Sequence, residues 1–179
     1  MSKLVFRTVH GSHLYGLAHA DSDMDFYEVY VRSIKRNSHT RATWAKQSIV
    51  DGVDTTKVDF GTWMEQCRKG VPQALEAMFS GLAEVDEIDS FRNAFRVGTG
   101  AVETYLRTIK AFCMDEENPS FKKRRHAVRL AYNCNTLREY GRFNPTMTEH
   151  QIMVANKFAA AEWVDPETLY RACEGLAMA

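Results

Sequence analysis

The chain has 179 residues, a length that favours one compact domain or one domain with a short helical extension. Because 45% of its residues are hydrophobic and 26% are charged, it can bury a core and is not expected to be disordered. Its 23 basic and 23 acidic residues cancel, so any attraction to nucleic acid or to a membrane must be local.

The sequence argues against a membrane-spanning protein and against a disulfide-rich one. No apolar run is long enough to span a bilayer, and the first seven residues lack the apolar stretch of a signal peptide. The four cysteines are far apart and include no Cys-x-x-Cys pair: Cys67, Cys113, Cys134 and Cys173. We expect buried, reduced thiols in a soluble cytoplasmic protein without a membrane partner.

Short strands and helices alternate in the first part of the chain. Four β-favouring runs predict strands at residues 4–9, 25–31, 48–50 and 57–60. A short helical segment is expected at 12–18, and most of 33–56 is predicted to be loop. Basic residues in this loop are a further candidate for contacts with phosphate or RNA: Lys35, Arg36 and Arg41.

Helix signals dominate from Thr62 onward. Apolar spacing predicts helices over residues 62–71, 73–79, 102–113 and 121–140, and further helices that start at Thr148 and Pro166. The acidic stretch 84–89 is expected to be a connector. The predicted fold is α/β (α+β), with a small mixed β-sheet core in residues 1–81 and a helical C-terminal region in residues 82–179.

Residues 11–25 carry the clearest chemistry: Gly-Ser-His-Leu-Tyr-Gly-Leu-Ala-His-Ala-Asp-Ser-Asp-Met-Asp. Gly11 and Ser12 lie between a strand and a helical segment, where backbone N–H groups and a hydroxyl can face an anion. Asp23 and Asp25 stand two residues apart where a strand begins, so both carboxylates are expected on one face. A divalent cation that bridges them to a phosphate relieves their repulsion. The segment therefore predicts a site for a nucleoside triphosphate and its metal.

A third carboxylate would help to bind a second metal and to activate an attacking hydroxyl. Asp59 is the candidate, because residues 57–60 can pair beside the strand of Asp25, and Asp54 is the alternative. An isolated Asp-x-Asp is usually a solvated turn, and the upstream Gly-Ser at this spacing favours the metal interpretation.

The segment 121–140 is basic at its start. Lys122, Arg125 and Arg129 stand at positions i, i+3 and i+7, which places them on one helical stripe. Most charged stripes are solvated helix faces. If this one faces the cleft, it can bind a triphosphate or an RNA backbone. The spacing of His10, His13 and His19 suits no usual zinc pattern. His13 is instead a further candidate to line the phosphate pocket.

The order Gly-Ser, Tyr-Gly-Leu and Ser-Asp-x-Asp resembles the polymerase-beta-like nucleotidyltransferases, in particular the RNA-ligase-associated predicted nucleotidyltransferases of bacteria and phages. Residues 69–79, Lys-Gly-Val-Pro-Gln-Ala-Leu-Glu-Ala-Met-Phe, are similar to the Lys-Gly-Asn-Pro and Leu-Glu motifs of that subgroup, and residues 125–130 resemble it more loosely. The resemblance covers about the first eighty residues closely. Val71 replaces an Asn and Arg129 replaces a His of the subgroup, and both changes concern the acceptor site.

The resemblance implies that residues 1–81 are a nucleotidyltransferase core, in which Gly11 and Ser12 hold phosphates and Asp23 and Asp25 bind Mg²⁺ or Mn²⁺. It also implies transfer of a nucleoside monophosphate from a nucleoside triphosphate to an acceptor, with release of pyrophosphate. An RNA end is the favoured acceptor, in a bacterial or phage-infected cytosol. Transfer to a small molecule or a protein hydroxyl stays open, as does a non-catalytic, antitoxin-like module that binds nucleotide or RNA.

Overall fold

The computed structural model describes residues 2–32, 44–50 and 52–179. The basic residues Lys35, Arg36 and Arg41, proposed above for phosphate or RNA contacts, lie outside the described residues.

Five strands form one mixed sheet. They are β1 (Ser2–His10), β2 (Asp25–Arg32), β3 (Ala45–Val50), β4 (Val53–Asp59) and β5 (Ala83–Asp86). Their order across the sheet is β3-β4-β2-β1-β5. β2 and β4 run parallel to each other, whereas the other neighbouring pairs are antiparallel. The mixed sheet confirms the predicted fold class.

The helices lie in the predicted segments, except α4, which was not predicted. They are α1 (Gly11–Tyr15), α2 (Phe60–Arg68), α3 (Pro72–Phe79), α4 (Asp89–Ala94), α5 (Gly100–Met114), α6 (Phe121–Tyr140), α7 (Glu149–Ala160) and α8 (Pro166–Met178). Thr148 forms a capping box with Gln151 at the start of α7, and Asp165 accepts a hydrogen bond from the backbone of Thr168 at the start of α8. The two predicted helix starts are therefore confirmed.

Two packed groups of elements surround the core. α2 lies against β2 and β4, where the indole of Trp63 stacks on Phe6 at 5.6 Å between ring centroids. In the C-terminal part, α6 packs against α5, α7 and α8. All four cysteines are buried free thiols, as predicted. No helix within the described ranges is long and apolar enough to cross a membrane.

The acidic stretch 84–89 differs from its prediction. Its first half belongs to β5, which pairs antiparallel with β1 at an edge of the sheet. Charged residues are tolerated on an edge strand, and Arg7 of β1 lies 3.2 Å from the carboxylate of Glu84. The connector prediction is wrong there because pairing with a distant strand outweighs the local composition. β5 follows residue 81, so the sheet draws one strand from the region assigned to helices, and the division into two domains stays a prediction.

Candidate active site

A cavity of about 970 Å³ lies where the start of β2, the start of α3 and one face of α6 meet. Its lining includes most of the residues predicted from the sequence: Gly11, Ser12, Asp23, Asp25, Lys122, Arg125 and Arg129. Residues more than a hundred positions apart are thus brought to one cleft.

The corner between β1 and α1 requires a glycine. Gly11 has a φ of +63°, a backbone conformation that side chains with a Cβ rarely adopt. A Cβ at this position would collide with the carboxylate of Asp25. The carboxylate of Asp25, the first residue of β2, therefore lies directly against the Gly11–Ser12 corner.

The acids of the cavity come from two neighbouring strands. Asp25 is the first residue of β2 and lies opposite Asp54 of β4 in the parallel register. Asp23 lines the same cavity from the loop before β2. Burial raises the pKa of Asp25, and the negative charges of Asp54 and Asp23 raise it further. The three carboxylates therefore form a mutually repelling group that a cation would stabilise.

Asp54 has hydrogen-bonding capacity to spare. Its Oδ1 is buried without a hydrogen-bond partner, whereas its Oδ2 accepts a hydrogen bond from the Gln47 side chain. A buried carboxylate oxygen left unpaired in this way is costly unless something binds to it. Asp54, the alternative third carboxylate, is the one that the structure places in the cavity.

Asp59 lies elsewhere. It stands at the other end of β4, five residues and about 17 Å from Asp54 at the usual rise of a strand. Its carboxylate accepts hydrogen bonds from the backbone N–H groups of Thr62 (3.1 Å) and Trp44 (2.8 Å) and so caps α2. Although burial alone would raise the pKa of Asp59, the hydrogen bond from the Thr62 hydroxyl and these backbone hydrogen bonds lower it. The expectation that Asp59 lines the cleft does not hold, because the carboxylate is occupied as a helix cap.

His13 does not line the cavity either. A hydrogen bond of 3.2 Å joins its Nε2 to the carbonyl oxygen of Ser22. This bond holds the loop that carries Asp23, so the contact of His13 is with the acidic loop and not with the cavity.

The cations of the cavity come from α6. Lys122 is exposed and Arg125 is half-buried, and both line the cleft. The positive charge of Lys122 contributes to the electrostatics of Asp25 by lowering its pKa. The Nε of Arg125 is buried and has no hydrogen-bond partner. Lys123, the next residue on the helix, instead forms an ion pair with Glu116 at 2.5 Å. The basic stripe therefore faces the cavity and not only solvent.

Arg129 lies deeper than the other two cations. Its guanidinium is buried, forms an ion pair with Glu76 at 2.5 Å, and stacks on the ring of Tyr15 at 3.7 Å from the centroid. Its Nε donates a hydrogen bond of 3.3 Å to Nδ1 of His126. Burial and the adjacent positive charges, Arg129 first among them, lower the pKa of His126 to about 3, so this imidazole is neutral at pH 7.

Sequence reasoning gave neither Glu76 nor Tyr15 a role in the site. The Tyr15 hydroxyl donates a hydrogen bond of 2.6 Å to Glu76, whose side chain is almost completely buried in α3. A signal was present, because Glu76 interrupts the apolar run Ala74–Phe79, and a charged residue inside such a run is almost always paired when it is buried. The sequence does not say that its partner lies 53 positions away.

The acids suit a divalent cation that is shared with a phosphate. Within the part of the chain that the structure describes, no three His, Cys, Asp or Glu side chains form a group that could hold a metal ion by themselves. Mg²⁺ rarely uses such a cage, since it takes one or two carboxylates and completes its shell with water and phosphate oxygens. The unpaired oxygen of Asp54 and the repulsion on Asp25 fit that mode of binding.

Comparison with known proteins gives one family. The family model described as RlaP, RNA repair pathway DNA polymerase beta family, matches residues 1–163, which include every residue of the cavity. The resemblance drawn from residues 11–25 and 69–79 is confirmed by this match. No curated protein matches the chain.

Proposed function

Because the chain belongs to the RNA repair pathway DNA polymerase beta family, we propose that it is a metal-dependent nucleotidyltransferase that moves a nucleoside monophosphate from a nucleoside triphosphate to the end of an RNA. One observation carries the proposal: a single cavity places Asp23, Asp25 and Asp54 beside the Gly11–Ser12 corner and opposite the cations of α6. A triphosphate fits this arrangement. Its negative charges would face the cations of α6, and at one end it would share a metal ion with the three acids.

The phosphates are held by the corner and by α6. The Ser12 hydroxyl and the backbone N–H groups beside Gly11 donate hydrogen bonds to phosphate oxygens. α1 has only five residues and so contributes little helix dipole. The individual hydrogen-bond donors therefore provide the binding. Lys122 and Arg125 balance the remaining negative charge. Ser12 acts as a ligand and not as a nucleophile.

The carboxylates have two tasks in this proposal, which are to bind the metal and to accept the proton of the attacking hydroxyl. Asp23, Asp25 and Asp54 would bind Mg²⁺ or Mn²⁺, which when bound neutralises the charge that develops on the phosphates. Asp54 Oδ1 is buried without a hydrogen-bond partner, and we assign it the proton of the attacking hydroxyl. The acceptor oxygen forms a bond to the α-phosphorus while the bond to the β-phosphate oxygen breaks, so that pyrophosphate leaves.

The RNA acceptor is supported by the family and by the charge distribution. The family name refers to RNA repair, and the basic face of α6 provides a local attraction for a phosphate backbone. The net charge of zero argues against tight binding to long duplexes, so we expect the enzyme to contact an end.

Labelled ATP, CTP, GTP and UTP, each incubated with the full chain, Mg²⁺ and total RNA, test the proposal. We expect label from at least one nucleotide to appear in RNA and to be lost in Asp25→Asn. Lys123→Ala serves as the matched control, since Lys123 lies on the same helix but pairs with Glu116. Label in protein or in a small molecule would change the acceptor, whereas no label in any fraction would favour a non-catalytic module.

A further inference from the structure

Tyr15, Glu76 and Arg129 form a buried, bonded cluster in the wall of the cavity, and the proposed mechanism does not use it. We propose that Arg129 and Glu76 are positioning residues, whose ion pair fixes the Gly11–Ser12 corner relative to the cations of α6 and so sets the affinity for the triphosphate. The inference rests on the proposed function and concerns how the same site is held in shape.

The contacts of Arg129 leave little of it for a ligand. One amino group pairs with Glu76 Oε1 at 2.5 Å, the Nε is bonded to His126, and the plane of the guanidinium covers the Tyr15 ring. Its side chain is 5% exposed. Lys122 and Arg125 on the same stripe have no such carboxylate partner among the described residues and are the cations left for phosphate.

The cluster joins three elements that each carry part of the site. Tyr15 is in α1, four residues after Gly11, and Glu76 is in α3, whose first turn lines the cavity. Arg129 lies about one turn from Arg125 and two turns from Lys122 on α6. A single carboxylate, Glu76, bonds the tyrosine with one oxygen and the arginine with the other.

Outside this cluster α1 and α6 pack on different neighbours, although the ring of His126 on α6 also lies 5.9 Å from the ring of Tyr15. α1 packs mainly on β1 and β2, whereas α6 packs mainly on α5, α7 and α8. The loop after α6 binds the far end of α1, where Thr146 Oγ1 and the Met147 N–H donate to the carbonyls of Leu14 and Tyr15. These contacts hold the C-terminal end of α1 when the ion pair is weakened. The distance from the Gly11–Ser12 corner, at the other end of α1, to the cations of α6 then loses its most direct restraint.

An Arg129→Lys variant separates positioning from charge. Lysine keeps the positive charge but lacks the planar fork and the ring stacking of arginine. We expect this variant to remain folded and to bind inorganic tripolyphosphate in Mg²⁺ buffer about 10-fold more weakly than the parent chain, within the range of coupling between neighbouring residues. In a Lys122→Ala background, the same change is expected to cost about 3-fold or less, because it acts through the cations of α6.

Calorimetric titration of the four chains, with far-UV circular dichroism as a check of folding, gives a reading for each outcome. Equal weakening in both backgrounds would make Arg129 a direct phosphate ligand and overturn the proposal. A lower Tm with unchanged affinity would also overturn it, since the pair would then only support the fold. If the parent chain does not bind tripolyphosphate, the phosphate site of the proposed function fails first.

Two further variants keep the test decisive. Tyr15→Phe removes only the hydroxyl that bonds to Glu76, and a smaller loss of affinity in the same direction is expected even where Arg129→Lys fails to fold. No change in affinity in a well-folded Tyr15→Phe chain would count against the proposal. Arg171→Lys is the matched control, because Arg171 forms exposed ion pairs in α8 with Glu167 and Glu174.

Discussion

The two ends of β4 carry the same residue in opposite environments. Asp59 accepts hydrogen bonds from Thr62 and Trp44, which lower its pKa. Asp54 faces Asp25 across the sheet and has a buried oxygen without a partner. A carboxylate whose hydrogen-bonding capacity is filled stabilises the fold, whereas one left unpaired among like charges is prepared for a cation or a proton. The state of its oxygens, not the residue type, separates the two roles.

The largest effect is expected on activity at the cavity end. Asp54→Asn or Asp25→Asn should lower nucleotidyl transfer by more than about 100-fold, because loss of partners one shell further from a metal already costs 10–100-fold. Initial rates with labelled nucleoside triphosphate measure this. Asp115→Asn, at an exposed helix end, is the control. Near-normal turnover in either cavity variant would falsify the assignment of the site.

A smaller effect is expected from the neighbour of Asp54. Gln47 is exposed and donates a hydrogen bond to Asp54 Oδ2. Gln47→Ala should reduce activity by about 10-fold or less, since it frees the carboxylate to rotate but leaves it in place. The Tm should stay unchanged. Comparing kcat and KM at several Mg²⁺ concentrations checks the idea, which is contradicted if the variant loses stability instead.

At the Asp59 end of β4 we expect a substitution to lower stability and to leave activity unchanged. Asp59→Ala removes the cap of α2 and should cost about 1 kcal/mol of unfolding free energy, or a Tm lower by about 2–4 °C, with activity retained. The stabilisation by ionised Asp59 is present above the ordinary pKa of an aspartate and is lost as the pH falls through its lowered folded-state pKa. The difference in Tm between the two chains should therefore shrink in acid, and a difference that grows in acid would contradict the capping role.

The smallest expected effect is a rise in Tm, opposite in sign to the fall in Tm expected for Asp59→Ala. Because the pKa of Asp25 is raised, the folded state holds its proton more tightly than the unfolded state does, so stability is lost as the pH rises through the folded-state pKa. In metal-free buffer, Asp25→Asn should therefore have a slightly higher Tm than the parent at pH 7 and an equal Tm below the ordinary pKa of an aspartate. Thermal unfolding at the two pH values measures this. A lower Tm of the variant at pH 7 would show that burial and repulsion do not dominate at this residue.

Local chemistry explains what could be predicted. The helix over 121–140 was set by its own apolar spacing and by Gly141, which ends it with a φ of +68°. Gly11, Ser12, Asp23 and Asp25 were found because they stand within fifteen residues of one another and their relation depends on one turn and one strand start. Their roles as ligands stay a prediction.

Long-range pairing explains what could not be predicted. The choice between Asp54 and Asp59 depends on which end of β4 lies beside the start of β2, and that register is formed between strands separated in the sequence. Similarly, Glu76 and Arg129 meet only because α3 and α6 are packed around the same cavity.

The sequence by itself determined most of the helices, the starts of α7 and α8, and the glycine, serine and paired acids of the corner, since each depends on neighbours a few positions away. Tertiary structure decided which aspartate, Asp54 or Asp59, lies in the cavity, and it placed Arg129 in a buried ion pair with Glu76. The physical reason is that the charge state and hydrogen bonding of a side chain are set by what surrounds it in space, which the order of residues along the chain does not specify.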